Sequence, residues 1–127
     1  MSRILIIDDD PAFRKMVRSF LEAEGHEVID ATCGEEGLAL FRSHAPELIV
    51  TDIVMPGLSG VETIERIREE NPDMKIIAVS GRDGVAAAAM LPDGRRGADR
   101  GLEKPFRRGE LVETVDALLP KRPDSAG

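Results

Sequence analysis

Three consecutive carboxylates, Asp8, Asp9 and Asp10, stand directly after the apolar run ILII at 4–7. Crowded like charges raise one another's pKa and repel, so the cluster asks for a counter-charge, either a cation or a nearby lysine. Asp52 follows the apolar run LIV at 48–50, Ser80 ends the run IIAV at 76–79, and Lys104 with Pro105 closes a short run that begins at Leu102. Carboxylates from two separate segments that converge with a lysine offer oxygen ligands to a hard divalent cation, and Mg2+ suits them because it takes few protein ligands and keeps waters. Asp9 and Asp52 would hold it, Asp8 would help directly or through water, and the backbone carbonyl of Val54 would add an oxygen. A carboxylate held beside Mg2+, an ammonium and a serine hydroxyl can attack phosphorus, because the positive charges take up the charge growing on the transferred phosphoryl oxygens. Asp52 is the expected nucleophile, as the only acid on its strand. The competing reading of the three acids is that they cap the helix after them.

For such residues to meet, the chain must bring several strand ends to one edge. The runs at 4–7, 48–50 and 76–79 are short, β-branched and unalternating, as expected of parallel strands buried on both faces. Phe13, Met16, Val17, Phe20 and Leu21 follow helical spacing, with Pro11 near the start and Gly25 just past the end. Residues 28–31 read as a second strand and 35–43 as a second helix; Val61, Ile64 and Ile67 mark a third helix that stops before Asn71-Pro72. A short strand from Leu102 and a helix carrying Leu111, Val112, Val115, Leu118 and Leu119 close the pattern. Five strands alternating with helices imply one α/β domain, doubly wound, with a five-stranded parallel sheet between two helical layers. Sites in such sheets lie at the carboxyl ends of the strands, where Asp8, Asp9, Asp52, Ser80 and Lys104 all stand.

The 127 residues fit one domain, expected over 1–120, with the polar, proline-containing 121–127 as a disordered tail or the start of a linker. Neither Trp nor Tyr is present, so ring-stacking chemistry is not expected. The net charge of −7 argues against nucleic acid as the partner of the whole surface. Residues 82–108 run the other way, with seven basic and four acidic side chains. The single cysteine, Cys33, cannot form an internal disulfide, and neither a leader nor an apolar stretch near 18 residues is visible, so a cytoplasmic protein without membrane contact is expected. His26 and His44 stand in polar settings and read as surface residues.

The segments ILIIDDD at 4–10, TDIVMPGLSG at 51–60, IIAVSG at 76–81 and EKPF at 103–106 together resemble the receiver domains of two-component response regulators, the chemotaxis regulators among them, over roughly residues 3–119. That resemblance implies the flavodoxin-like strand order 2-1-3-4-5. It implies that Asp52 accepts a phosphoryl group from the phosphohistidine of a sensor histidine kinase or a histidine phosphotransfer protein. Asp8 and Asp9 match the family's acidic pair, Lys104 its lysine, Ser80 its hydroxyl residue, and Pro105 a proline usually preceded by a cis peptide bond. On this reading the domain is a switch and not an enzyme, although it assists its own phosphorylation and dephosphorylation. Asp10 has no matching role and is expected to be solvated.

The chain departs from the family at the switch. Family activation couples the hydroxyl residue to an aromatic on the fifth strand, a position that Gly101 fills here. The fourth helix, helix-prone over 85–91, should be stopped by Pro92-Asp93-Gly94, leaving a mobile segment over about 92–100. Arg95, Arg96, Arg100, Arg107 and Arg108 would lie near the fourth and fifth helices, the face receivers use for output, where an acidic protein partner or a second copy would dock. Val54, two residues past the nucleophile, cannot orient an attacking water, and Arg82, two past Ser80, would cover the phosphoryl group, so slow self-dephosphorylation is expected. Two other readings are a pseudo-receiver that keeps the fold without the chemistry, and a Mg2+-dependent phosphohydrolase of the haloacid-dehalogenase type. Ala12, where those enzymes want Thr or Val, speaks against the latter.

Overall fold

Alternate residues of each apolar run turn to opposite faces of one sheet, which is why the runs do not alternate with polar residues. The structure, a computed structural model, describes residues 2–92 and 94–119, the Arg82 side chain excepted; the expected tail 121–127 and Asp93 lie outside these. The strands are β1 (Arg3–Ile7), β2 (Glu27–Ala31), β3 (Leu48–Asp52), β4 (Lys75–Ser80) and β5 (Arg100–Glu103), all parallel in the order β2-β1-β3-β4-β5. The helices are α1 (Pro11–Ala23), α2 (Gly34–His44), α3 (Gly60–Glu70), α4 (Arg82–Ala88) and α5 (Arg108–Leu118).

Leu5, Ile7, Ile49, Ile76 and Ala78 pack with Leu38 and Phe41 of α2, Ile64 and Ile67 of α3, and Ala88 of α4. Ile4, Ile6, Leu48, Val50, Ile77 and Val79 face the other way, against Val17 and Leu21 of α1 and Leu111 and Val115 of α5. Burial of this kind contributes roughly 1.5–3 kcal/mol for each fully buried aliphatic side chain. The expected doubly wound α/β architecture is therefore the one found.

The expected boundaries hold to within a few residues, and the largest departure is at α4. The helix is short, as expected, but it runs over 82–88 and not 85–91. The chain after it is knit by hydrogen bonds: Leu91 N–H donates to the Arg95 carbonyl at 2.9 Å, Gly97 N–H to Ala89 at 3.1 Å, and Ala98 N–H to Ala88 at 2.8 Å. Arg100, expected in a mobile segment, already belongs to β5.

Candidate functional site

Asp8, Asp9 and Asp10 divide the two roles that the sequence left open. The Asp10 side chain accepts from the N–H groups of Ala12 and Phe13 and caps α1, so it is the helix cap and not merely a solvated acid. Asp8 is buried to 1% exposure at the end of β1, whereas Asp9 is exposed. β1 and β3 are neighbours, with Ile7 paired to Thr51, so the next residue of each strand places Asp8 beside Asp52. Asp8, Asp9 and Asp52 each offer a carboxylate oxygen within 4.8 Å of the others.

One oxygen of each buried carboxylate is fixed by backbone. Asp10 N–H donates to Asp8 Oδ1 at 2.9 Å, and Ile53 N–H to Asp52 Oδ1 at 2.7 Å. The remaining oxygens turn to Lys104, whose Nζ lies 3.3 Å from Asp8 Oδ2 and 3.6 Å from Asp52 Oδ2. Burial pushes the Asp8 carboxyl above its ordinary value; the Asp10 N–H opposes this, Asp52 reinforces it and Lys104 opposes it. Three carboxylates against one ammonium leave an excess of negative charge on hard oxygen donors, a set that fits a divalent cation such as Mg2+.

The loop between β3 and α3 is held from both ends. Met55 and Leu58 are buried, Leu58 N–H donates to Glu35 of α2 at 3.0 Å, and Gly60 N–H donates to the Ile53 carbonyl at 2.9 Å. Ser59 and Glu62 then form a reciprocal cap on α3. Val54 stands in this loop, two residues past Asp52, and is 74% exposed.

Ser80 ends β4 on the parity of Ile76 and Ala78, so its side chain faces α4, where a Cβ placed on Gly84 would fall 2.3 Å from Ser80 Oγ. Gly101 of β5 has the parity opposite to Leu102 and also faces α4; a Cβ there would fall 2.1 Å from Val85 Cγ1. Two consecutive residues of α4 thus cover Ser80 and the place a switch aromatic would take. The Lys104–Pro105 peptide is cis, and Lys104 N–H donates to the Ser80 carbonyl at 2.8 Å, so β5 delivers the lysine from the strand next to Ser80.

With strand order and site geometry in hand, the family comparison is decisive: the description "Response regulator receiver domain" fits residues 4–116. The chain belongs to the receiver domain family of response regulators. It is 38% identical over 117 residues to the response regulator MprA of Mycolicibacterium vanbaalenii, covering 92% of this chain and 50% of that protein. The identity is 37% over 125 residues with MprA of Mycobacterium leprae, at 98% and 54% coverage. The chain therefore spans about half the length of the curated relatives it matches. Among solved structures, the response regulator TrrA from Thermotoga maritima, in complex with Mg(2+)-BeF, is 37% identical with a TM-score of 0.80 over 94% of this chain and 100% of that one. The receiver domain of NtrX from Brucella abortus is 30% identical with a TM-score of 0.83, covering 91% of this chain and 97% of the other.

Within this receiver domain the basic residues of 82–108 do not form one patch. Arg95 approaches Glu69 of α3 at 4.0 Å, and Arg96 lies 3.4 Å from Asp99 and donates to the Pro72 carbonyl at 3.1 Å. Arg108 instead pairs with Glu24 at 3.2 Å, just past α1, and its guanidinium lies over the Phe20 ring. These two groups sit on opposite faces of the sheet. The Arg82 side chain, expected to cover the phosphoryl group, lies outside what the structure describes.

Two features escaped the sequence reading. Phe13, which helical spacing marks only as core, has its ring 4.2 Å from Lys104 Nζ. Arg68 is buried to 3% exposure and bonded to Asp99 at 3.0 Å. The available signal for Arg68 was its place on the stripe of Ile64 and Ile67, one helical turn after the first of them. Among the described residues no helix is long and apolar enough to cross a membrane.

Proposed function

We propose that this receiver domain is a phosphoacceptor switch in which an Asp52 carboxylate oxygen attacks the phosphorus of a phosphohistidine. The new O–P bond forms as the P–N bond breaks, and the electron pair of that bond stays on the donor's imidazole nitrogen. The observation that carries this reading is the meeting of Asp8, Asp9 and Asp52 within 4.8 Å, with Lys104 bridging the two buried members. Asp8, Asp9, Asp52 and the Val54 carbonyl would hold Mg2+, which when bound screens the carboxylates from the incoming phosphoryl oxygens. Lys104 pairs with one phosphoryl oxygen and the Ser80 hydroxyl donates to another, so the acceptor assists its own phosphorylation and later its hydrolysis. Val54 offers no side-chain group to orient water, so that hydrolysis would be slow. The donor is a sensor histidine kinase or a histidine phosphotransfer protein, and the reading carries a cytoplasmic location with it.

Ser80 drawn toward the phosphoryl group would pull away from Gly84, so the state would be relayed through α4 and β5 to the α4, β5 and α5 surface, where an acidic partner or a second copy would dock; Arg95 and Arg96 lie instead on the α3 side, against Glu69, Asp99 and Pro72. Contacts of Gly84 and Val85 with Ser80 and Gly101 support α4 as the moving part.

Incubation with Mg2+ and acetyl phosphate followed by intact-mass measurement tests the reading. A single labile phosphoryl group that Asp52→Asn abolishes is expected. Steady release of phosphate would point to a phosphohydrolase, and an unchanged mass would leave a pseudo-receiver.

A further inference from the structure

We propose that Phe13 is a positioning residue for phosphoryl transfer: its ring holds the Lys104 ammonium at the acidic cluster. The inference rests on the phosphoacceptor reading of Asp52 and adds a residue to it. Lys104 Nζ lies 4.2 Å from the centre of the Phe13 ring while also facing Asp8 and Asp52, so two carboxylates and an aromatic ring share one ammonium. An ammonium within about 6 Å of a ring centroid is attracted by the negative face of the π system.

The ring is itself held. Asp10 accepts from the N–H groups of Ala12 and Phe13, which sets the first turn of α1 and with it the direction of the Phe13 side chain. Phe106 stands perpendicular to it, with ring centroids 5.7 Å apart and an interplanar angle of 88°. Phe13, Met16, Pro105 and Phe106 line a largely apolar hollow that also takes in the Lys104 stem. A lysine on a flexible four-carbon stem loses rotamer entropy when fixed at one point. The ring restricts it before the phosphoryl group arrives, so less ordering remains for the transfer step.

The measurement begins on the unphosphorylated protein. In 1H–13C spectra with labelled lysine, the Lys104 ε-methylene protons, assigned by their loss in Lys104→Arg, are expected upfield through the ring current. The shift should vanish in Phe13→Leu and in Phe13→Met, two variants that keep apolar bulk without the ring, and persist in Phe13→Tyr. With acetyl phosphate at saturating Mg2+, both non-aromatic variants should be phosphorylated about three- to tenfold more slowly, with Mg2+ affinity unchanged, and Phe13→Tyr should restore the rate. An ordinary Lys104 shift in the wild type, or wild-type phosphorylation rates in folded Phe13→Leu and Phe13→Met, overturns the proposal. A wild type that shows the upfield signal but takes up no phosphoryl group would overturn the phosphoacceptor reading and leave the contact standing.

Discussion

Gly101 of β5 lies directly beneath Val85 of α4, so close that a Cβ on the glycine would fall 2.1 Å from Val85 Cγ1. The space that a switch aromatic would use is occupied by the helix. Gly101→Phe should therefore displace α4 and not restore a rotating ring, lowering stability by roughly 1–3 kcal/mol, the usual cost of overpacking. Val85→Ala in the same chain should recover part of that loss. Urea unfolding of the two single variants and the double variant gives the coupling, and additive losses would mean that the two residues do not compete for this space.

Arg68 makes a second contact that reaches beyond its own helix. Its guanidinium donates to the carbonyls of Gly97, Pro72 and Met74 and to Asp99 Oδ2, which also accepts the Ile76 N–H at 2.8 Å. One buried side chain thus ties the end of α3 to the start of β4 and to the entry of β5. Arg68→Met leaves the Asp99 carboxylate and the carbonyls it served buried, and should cost about 3–5 kcal/mol. Arg68→Met with Asp99→Leu should lose less than Arg68→Met alone. A double variant as unstable as the single one would show that the carbonyl bonds, and not the ion pair, carry the effect.

These two relationships mark where the sequence was readable and where it was not. The acids, serine and lysine were legible because each follows an apolar run, and parallel strands buried on both faces fix where their ends must meet. Asp10 is exposed, as expected, and also caps α1, as the competing reading of the acids had it; the sequence did not say which acid would cap, because that is decided by the φ/ψ step that places one oxygen over Ala12 and Phe13. The α4 boundary was hard to read because Val85–Ala89 has little amphipathic pattern, so what ends the helix is the bonding of Gly97 and Ala98 back to Ala89 and Ala88. Arg68 was not legible because its partners come from residues 72–74 and 97–99, segments with no periodic signal. Phe13 fitted the apolar stripe of α1, and nothing local reveals that Lys104, 91 positions away, comes over its ring.

The acidic cluster costs the metal-free protein stability. Burial raises the Asp8 carboxyl above its ordinary value of 3.8, so between that value and its folded pKa the native state holds a proton that the unfolded chain has released. Stability therefore falls as pH rises through this window, and above it the ionised Asp8 is a standing penalty. Asp8→Asn should stabilise the protein at pH 7 without divalent cation and flatten this part of the stability profile. Mg2+ should raise the melting temperature of the wild type and do little for Asp8→Asn. Thermal melts across pH with EDTA or Mg2+ decide the matter, and a variant less stable than wild type in EDTA would contradict it.

Val54 stands two residues beyond Asp52 and is 74% exposed, so on the phosphoacceptor reading it is a candidate to meet water that approaches a phosphoryl group on that aspartate. A valine can neither donate to nor accept from that water, so this side chain would give hydrolysis no positioned partner. An amide at the same place can hold the water in line with phosphorus, and positioning of this kind is worth on the order of tenfold or more in rate. The exposed position means the exchange disturbs no packing, so a change in rate reports on chemistry and not on folding. Val54→Asn should therefore shorten the phosphoryl lifetime by about tenfold, read as loss of label from phosphorylated protein after the donor is removed. An unchanged or longer lifetime would mean that something other than this side chain limits access of water to the phosphoryl group.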